Sequence, residues 1–150
     1  MSAPTVKAEI HGDRKAALDL HEIGVRASDM RPVSRELFRV LEQAEQAQFA
    51  SGSGWPRLAE ATLENKARDG YPAQILVRTG ALRRALITSG GDAVRELERS
   101  ELTFGAAVPY AKYALGTRRQ PARPPIKLRP QDEQQITRIF GEYVGGGRTT

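Results

Sequence analysis

Few side chains in this 150-residue chain have the type and spacing for chemistry. Its two histidines, His11 and His21, do not share a helix face at metal-ligand spacing. With no cysteine, thiolate metal sites, a cysteine nucleophile and disulfides are excluded. Neither GxxxxGK nor GxGxxG occurs, and Ser51-Gly52-Ser53-Gly54 shares only its composition with a phosphate loop. It reads as a connector. The carboxylates lie along helix faces beside Arg or Lys and read as solvated surface. No constellation argues for catalysis, a metal or a cofactor, so the expectation is a protein that is not an enzyme.

The residues that stand out are basic. The stretch VPYAKYALGTRRQPARPPIKL, Val108 to Leu128, carries Lys112, Arg118, Arg119, Arg123 and Lys127, and Arg129 follows it. From Leu102 to Gln131 these six cations meet no Asp or Glu. The remainder then holds 17 basic residues (23 less six) against 18 acidic ones, so the net charge of +5 sits in one ribbon. A basic ribbon on a neutral body points to a local contact rather than to general polyanion binding. Pro121, Pro124 and Pro125 remove backbone donors and make the ribbon stiff and extended. A grip on nucleic acid would interleave aromatics with arginine, and between Leu115 and Arg129 there is none. Contact with phosphates alone stays open. The favoured reading is an ordered arm for a neighbouring subunit or partner, with arginine pairing to carboxylates. Trp55, the only tryptophan, reads either as an anchor for the helix after it or as an interface hot spot.

The elements that must position this ribbon follow from periodicity. Val6, Ala8 and Ile10 alternate as a short strand, and a helix of two or three turns starts near Asp13. Val33, Leu37, Val40, Leu41 and Ala44 mark the clearest helix, Pro32 to Phe49. Pro56 to Gly70 reads as the next helix. Ile75 and Val77 read as extended, Thr79-Gly80 as a turn, and Ala81–Arg84 as one helical turn. Ser89–Asp92 reads as a hairpin turn between strands Ala85–Thr88 and Val94–Glu98, with helix and strand both open near Leu86. Leu102, Phe104, Ala106 and Val108 alternate as another strand. A short helix from Tyr110 to Leu115 ends at Gly116, and Pro130 opens a last amphipathic helix reaching Val144. The expected fold is α+β: helices packed on a small, mainly antiparallel sheet, with an extended Pro/Arg-rich arm (116–129), a C-terminal helix and a frayed end (145–150). One domain spans 1–150. No apolar run is long enough to span a membrane, and MSAPTVKAEIHGD lacks the apolar core of a signal peptide.

Ordered landmarks add a resemblance. They are RPVSRELFRVLEQAEQAQFASGSGWPRLAEATLENKARDG, then ILVRTGALRRAL, then VPYAKYALGTRRQPARPPIKL, then the C-terminal helix. Trp55, Leu58, Thr62 and Lys66 mark one helix; Leu76, Thr79, Gly80 and Leu82 a turn; Tyr110, Ala111, Gly116, Pro121, Ala122, Arg123 and Pro124 the ribbon. Over about Arg31 to Val144 this pattern resembles the phage virion morphogenesis family, the tail completion proteins of the phage Mu type. More loosely it resembles the tail terminators of long-tailed phages. Tyr113 and Ala114 depart from it, standing where His and Gln are expected. The resemblance implies a structural virion protein of the neck, assembled in the bacterial host cytoplasm. Such a protein forms a ring of identical subunits, usually six, capping the tail tube and joining it to the head connector or stopper protein. No cofactor or membrane is implied, and DNA in the channel is one further neighbour. The interface set expected on this basis is Arg118, Arg119, Arg123, Lys127, Arg129 and Trp55. Thr79, Gly80, Tyr110, Gly116, Pro121 and Pro124 are the expected structural positions. A head-closure ring protein and a small DNA-binding module are the alternatives.

Overall fold

A computed structural model describes residues 13–52, 54–119 and 121–146. The expected strand at Val6–Ile10, with His11, lies outside them. Among the described residues five helices pack on one two-stranded antiparallel sheet, so the fold is α+β. Helix α1 is Asp13–Ala27, α2 Ser34–Ser51, α3 Glu60–Arg68, α4 Ala81–Ile87 and α5 Pro130–Val144. Strands β1 (Ala93–Leu97) and β2 (Leu102–Ala106) pair with Ala93 opposite Ala106 and Leu97 opposite Leu102. Short 3-10 helices at Arg31–Val33 and Ala111–Leu115 complete the order.

Helix α2 is the spine. Its apolar stripe serves two clusters at once. Toward its start, Val33, Leu37 and Val40 pack with Ile139 of α5, flanked by Ile136, Phe140 and Tyr143. Toward its end, Phe49 joins Trp55, Val77, Leu82, Leu86 and Val108. Phe49 and Trp55 meet edge to face at 5.3 Å between ring centres. Gly52, at φ +58, ends the helix in the left-handed conformation that glycine adopts without steric cost. At α5, Pro130 fills the first turn, where its missing N–H costs nothing. There the Asp132 carboxylate accepts from the Arg129 backbone N–H at 2.9 Å, and the Asp132 N–H donates to the Arg129 carbonyl.

Three expectations change. Ala85–Thr88 is not a strand: Ala85 to Ile87 belong to α4, which buries Leu82, Ala85 and Leu86 at i, i+3 and i+4. The run is too short for its apolar residues alone to distinguish the two periods. Ser89–Asp92 therefore joins α4 to β1, and the hairpin turn lies between β1 and β2, where the Glu98 N–H donates to the Glu101 carbonyl. The helix after Trp55 begins at Glu60 rather than Pro56. The Pro56 and Arg57 carbonyls, which would accept its first bonds, instead accept from Arg123.

One side chain ties the sheet to the helices. Arg95 of β1 is almost fully buried, and its Nε donates to Glu42 of α2 at 3.1 Å. Its Nη1 donates to the Val94 and Gly105 carbonyls. Its Nη2 faces the carbonyls of Ala85, Leu86 and Thr88, at the negative end of α4, at 2.9–3.0 Å. The guanidinium also lies 3.9 Å from the Phe104 ring centre. Replacing Arg95 with Met strands several of these partners, so urea titration is expected to show a loss of about 3 kcal/mol. Arg95→Lys should recover less than half of it, because an ammonium cannot span the same fork.

Candidate functional site

The basic ribbon lies against its own chain. At Gly116, φ is +94, and a Cβ there would stand 3.0 Å from the Ala122 backbone. Only glycine lets the chain turn and double back so closely. The Arg123 N–H then donates to the Ala114 carbonyl at 2.7 Å. Beyond that bond a reciprocal clasp forms. Trp55 Nε1 donates to the Pro124 carbonyl at 2.9 Å. Arg123 Nε and Nη2 donate to the Pro56 and Arg57 carbonyls at 2.8 and 2.9 Å. Pro125 is buried beyond the clasp.

The expected interface set therefore divides. Trp55 is 8% exposed and belongs to the core, which corrects its reading as a partner contact. Arg123 grips backbone carbonyls of its own chain. Arg129 donates from its backbone N–H, Nε and Nη2 to the carboxylate of Asp132, at the start of α5. That bonding holds the Asp132 carboxyl below its ordinary range despite burial. Arg118 and Arg119 remain on an exposed bend, where the Arg119 N–H donates to Thr117 Oγ1. Lys127 is exposed too, its ammonium lying close over Gly54.

Part of the landmark set lines a cavity of about 210 Å³. Leu58 of the segment before α3, Leu82 of α4, Tyr110, Tyr113 and Pro121 line it. Thr79 and Gly80 set the start of α4 beside it: Thr79 Oγ1 faces the Ala81 N–H, and Gly80 takes φ +81. Lys66 builds another wall. Its ammonium donates to the carbonyls of Pro72, Gln74 and Val77 at 2.9, 2.7 and 2.6 Å. This single charge folds the 71–80 segment, in which Leu76 is held at φ +57. Burial, and then the neighbouring Arg78, push the Lys66 pKa down. Gln74 Nε2 fastens the same segment to the Phe49 carbonyl at 2.8 Å.

The cavity wall carries the cations Lys66, Arg78 and Arg123 and, among the described residues, no carboxylate, histidine or hydroxyl nucleophile other than tyrosine. Its chemistry suits recognition of an apolar group next to a negative one. No group of three or more metal-ligating side chains occurs among the described residues, and no helix there is long and apolar enough to cross a membrane. His21 is exposed on α1. No family model, curated protein or solved structure matches the chain.

The sequence reading passed over Glu45. It lies beneath the ribbon, 1% exposed, and neither carboxylate oxygen has a well-formed hydrogen bond. Burial pushes its pKa up to about 7, offset in part by the Lys127 backbone amide and the field of Arg95, while Asp132 pushes it further up.

Two outcomes follow. Between the ordinary carboxyl value of 4.5 and about 7, the folded chain holds the Glu45 proton that the unfolded chain releases. Stability from this group therefore falls as pH rises through that window and levels off above it. Glu45→Gln should leave stability nearly unchanged at pH 4 and raise it by roughly 2 kcal/mol at pH 8, read as the difference between urea titrations of the two proteins. Separately, Gly116→Ala forces the Ala122 backbone away. Amide exchange should then show the Arg123 N–H losing protection at least tenfold, with the Leu37 and Val40 amides of α2 unchanged.

Proposed function

We propose that this chain is a structural subunit of a phage neck, a tail completion or terminator protein. In this reading it closes into a ring on the end of the tail tube and joins tail to head. The observation that carries the reading is a pair of unlike exposed apolar surfaces on one small chain. One is on α1, where Leu20 and Ile23, one turn apart, are 67% and 37% exposed, with Leu18 and Val25 exposed on the opposite side of the helix. The other is on the 3-10 helix, where Tyr110, Tyr113 and Leu115 are 43%, 54% and 68% exposed. Exposed apolar clusters mark interaction sites. Two different surfaces on one chain suit a head-to-tail contact, which builds rings when its rotation closes. Part of the landmark set, Leu58, Leu82, Tyr110 and Pro121 among it, lines the cavity beside the second surface.

The DNA-binding reading is weakened by the division of the ribbon. Arg123 and Arg129 hold backbone carbonyls and Asp132, which leaves Lys112, Arg118, Arg119 and Lys127 to meet phosphates.

Deleting the gene from its phage and imaging lysates by negative-stain electron microscopy tests the proposal. Filled heads beside detached tails of irregular length are the expected result. Finished tails of normal length beside heads that leak DNA would move the protein to head closure. Intact infectious particles would overturn the neck assignment.

A further inference from the structure

Helix α1 is exposed from Arg14 to Val25. Its end is tied down where Arg26 Nε donates to the Val144 carbonyl at 2.8 Å, and Tyr143 Oη donates to the Asp29 carbonyl just beyond it. A 15-residue helix with so little packing is marginal by itself in water. Its apolar residues are nonetheless placed in order. Leu20 and Ile23 stand one turn apart, and Asp19 stands one turn before Ile23. That side offers aliphatic groups edged by the Asp19 carboxylate, with Lys15 one turn before it and Arg26, one turn after Ile23, already held by Val144.

The cavity beside the 3-10 helix offers the complement. Tyr110 and Tyr113 form an exposed apolar rim, Arg78 lines the wall, and Lys112 stands between the two tyrosines in the chain. No acid lies in the chain from Leu102 to Gln131. Resting on the ring proposed above, we infer that α1 of one subunit docks on the Tyr110–Tyr113 cavity of the next, with Leu20 and Ile23 against the tyrosines and Asp19 facing Arg78. The occupant is a second copy of this chain because α1 supplies both halves of the required chemistry, apolar side chains and a flanking negative charge. The contact joins two different surfaces, so each subunit gives one α1 and receives one.

The absence of cysteine makes the test clean. Leu20 and Tyr113 are both more than half exposed, so Leu20→Cys and Tyr113→Cys should leave the fold intact. The doubly substituted full chain, concentrated and oxidised, is expected to give a ladder of disulfide-linked species ending at one closed size. An equimolar mixture of the two singly substituted chains should give linked dimers, and each alone should give none. Dimers from the Leu20→Cys chain alone would show a symmetric helix pairing and overturn the inference. So would a ring seen by light scattering with no link between the two positions, which leaves the ring assignment standing. A chain that neither associates nor links at any concentration would overturn both. A charge exchange gives an independent reading. Asp19→Arg and Arg78→Asp should each weaken association at least tenfold, and the double variant should restore it; failure of the restoration would remove Asp19 and Arg78 from the contact.

Discussion

The guanidinium of Arg95 is the constraint on which the remaining architecture depends. A two-stranded hairpin is barely stable alone in water. Here it survives because one buried cation reaches α2 through Glu42, α4 through its last carbonyls and β2 through Gly105. The end of α4 is where an unpaired helix would leave orphan carbonyls, and the arginine answers that need with charge as well as hydrogen bonds. The sheet thus acts less as a core layer than as a bracket. It fixes α4 against α2, and α4 in turn carries Leu82 and Leu86 into the cluster under the cavity.

Alongside this bracket, α2 accepts a burden. Its inward stripe includes Glu45 as well as leucine and valine, and the carboxyl responds to burial by holding its proton toward neutrality. A buried acid with no good hydrogen bond is a cost the fold bears while the ribbon covers it. Arg95 is near enough to lower that cost through its field but is committed to Glu42. Asp132, buried nearby, shows the contrasting solution. Its two oxygens accept from Arg129, and its pKa moves down rather than up.

How much of this was legible in the sequence depended on whether a residue acted within its own element. The α2 stripe, the β2 alternation and the α5 stripe were visible because each is a local period against a broad core. Gly116 was visible as the stop before a proline-rich run, but not its positive φ or its close approach to Ala122. Ala85–Ile87 was misread because three apolar residues in so short a run fit either period. Glu45 carried a signal that was passed over: it stands four residues after Leu41, on the buried stripe, where a carboxylate should have prompted a question. Arg95 carried none, and Lys66 stood out only as a landmark of the resemblance, with nothing to show what it holds. Their partners are carbonyls brought near by tertiary folding, and a carbonyl has no residue type to read. For the same reason Arg123 stood among interface residues, and Trp55 stood between a core anchor and an interface contact, although each grips a carbonyl of its own chain.

That clasp decides what the ribbon can present. A proline lacks an N–H, but its carbonyl remains a full acceptor. Pro56 and Pro124 cannot donate into a ladder, and they serve as acceptors for Arg123 and Trp55 across the join. The prolines thus stiffen two segments and also supply the hydrogen-bond acceptors that lock them together. Swinging the ribbon outward would break three such bonds and uncover Pro125. Each bond is worth about 1 kcal/mol, more where a guanidinium donates. A neighbour can gain more, at lower cost, from groups already exposed. Those are Arg118 and Arg119 on the bend and the tyrosines beside the cavity. The charge that singled out the ribbon in the sequence therefore has two uses. Part of it builds the cavity wall and caps a helix, through Arg123 and Arg129, and the remainder, Lys112, Arg118, Arg119 and Lys127, stays exposed.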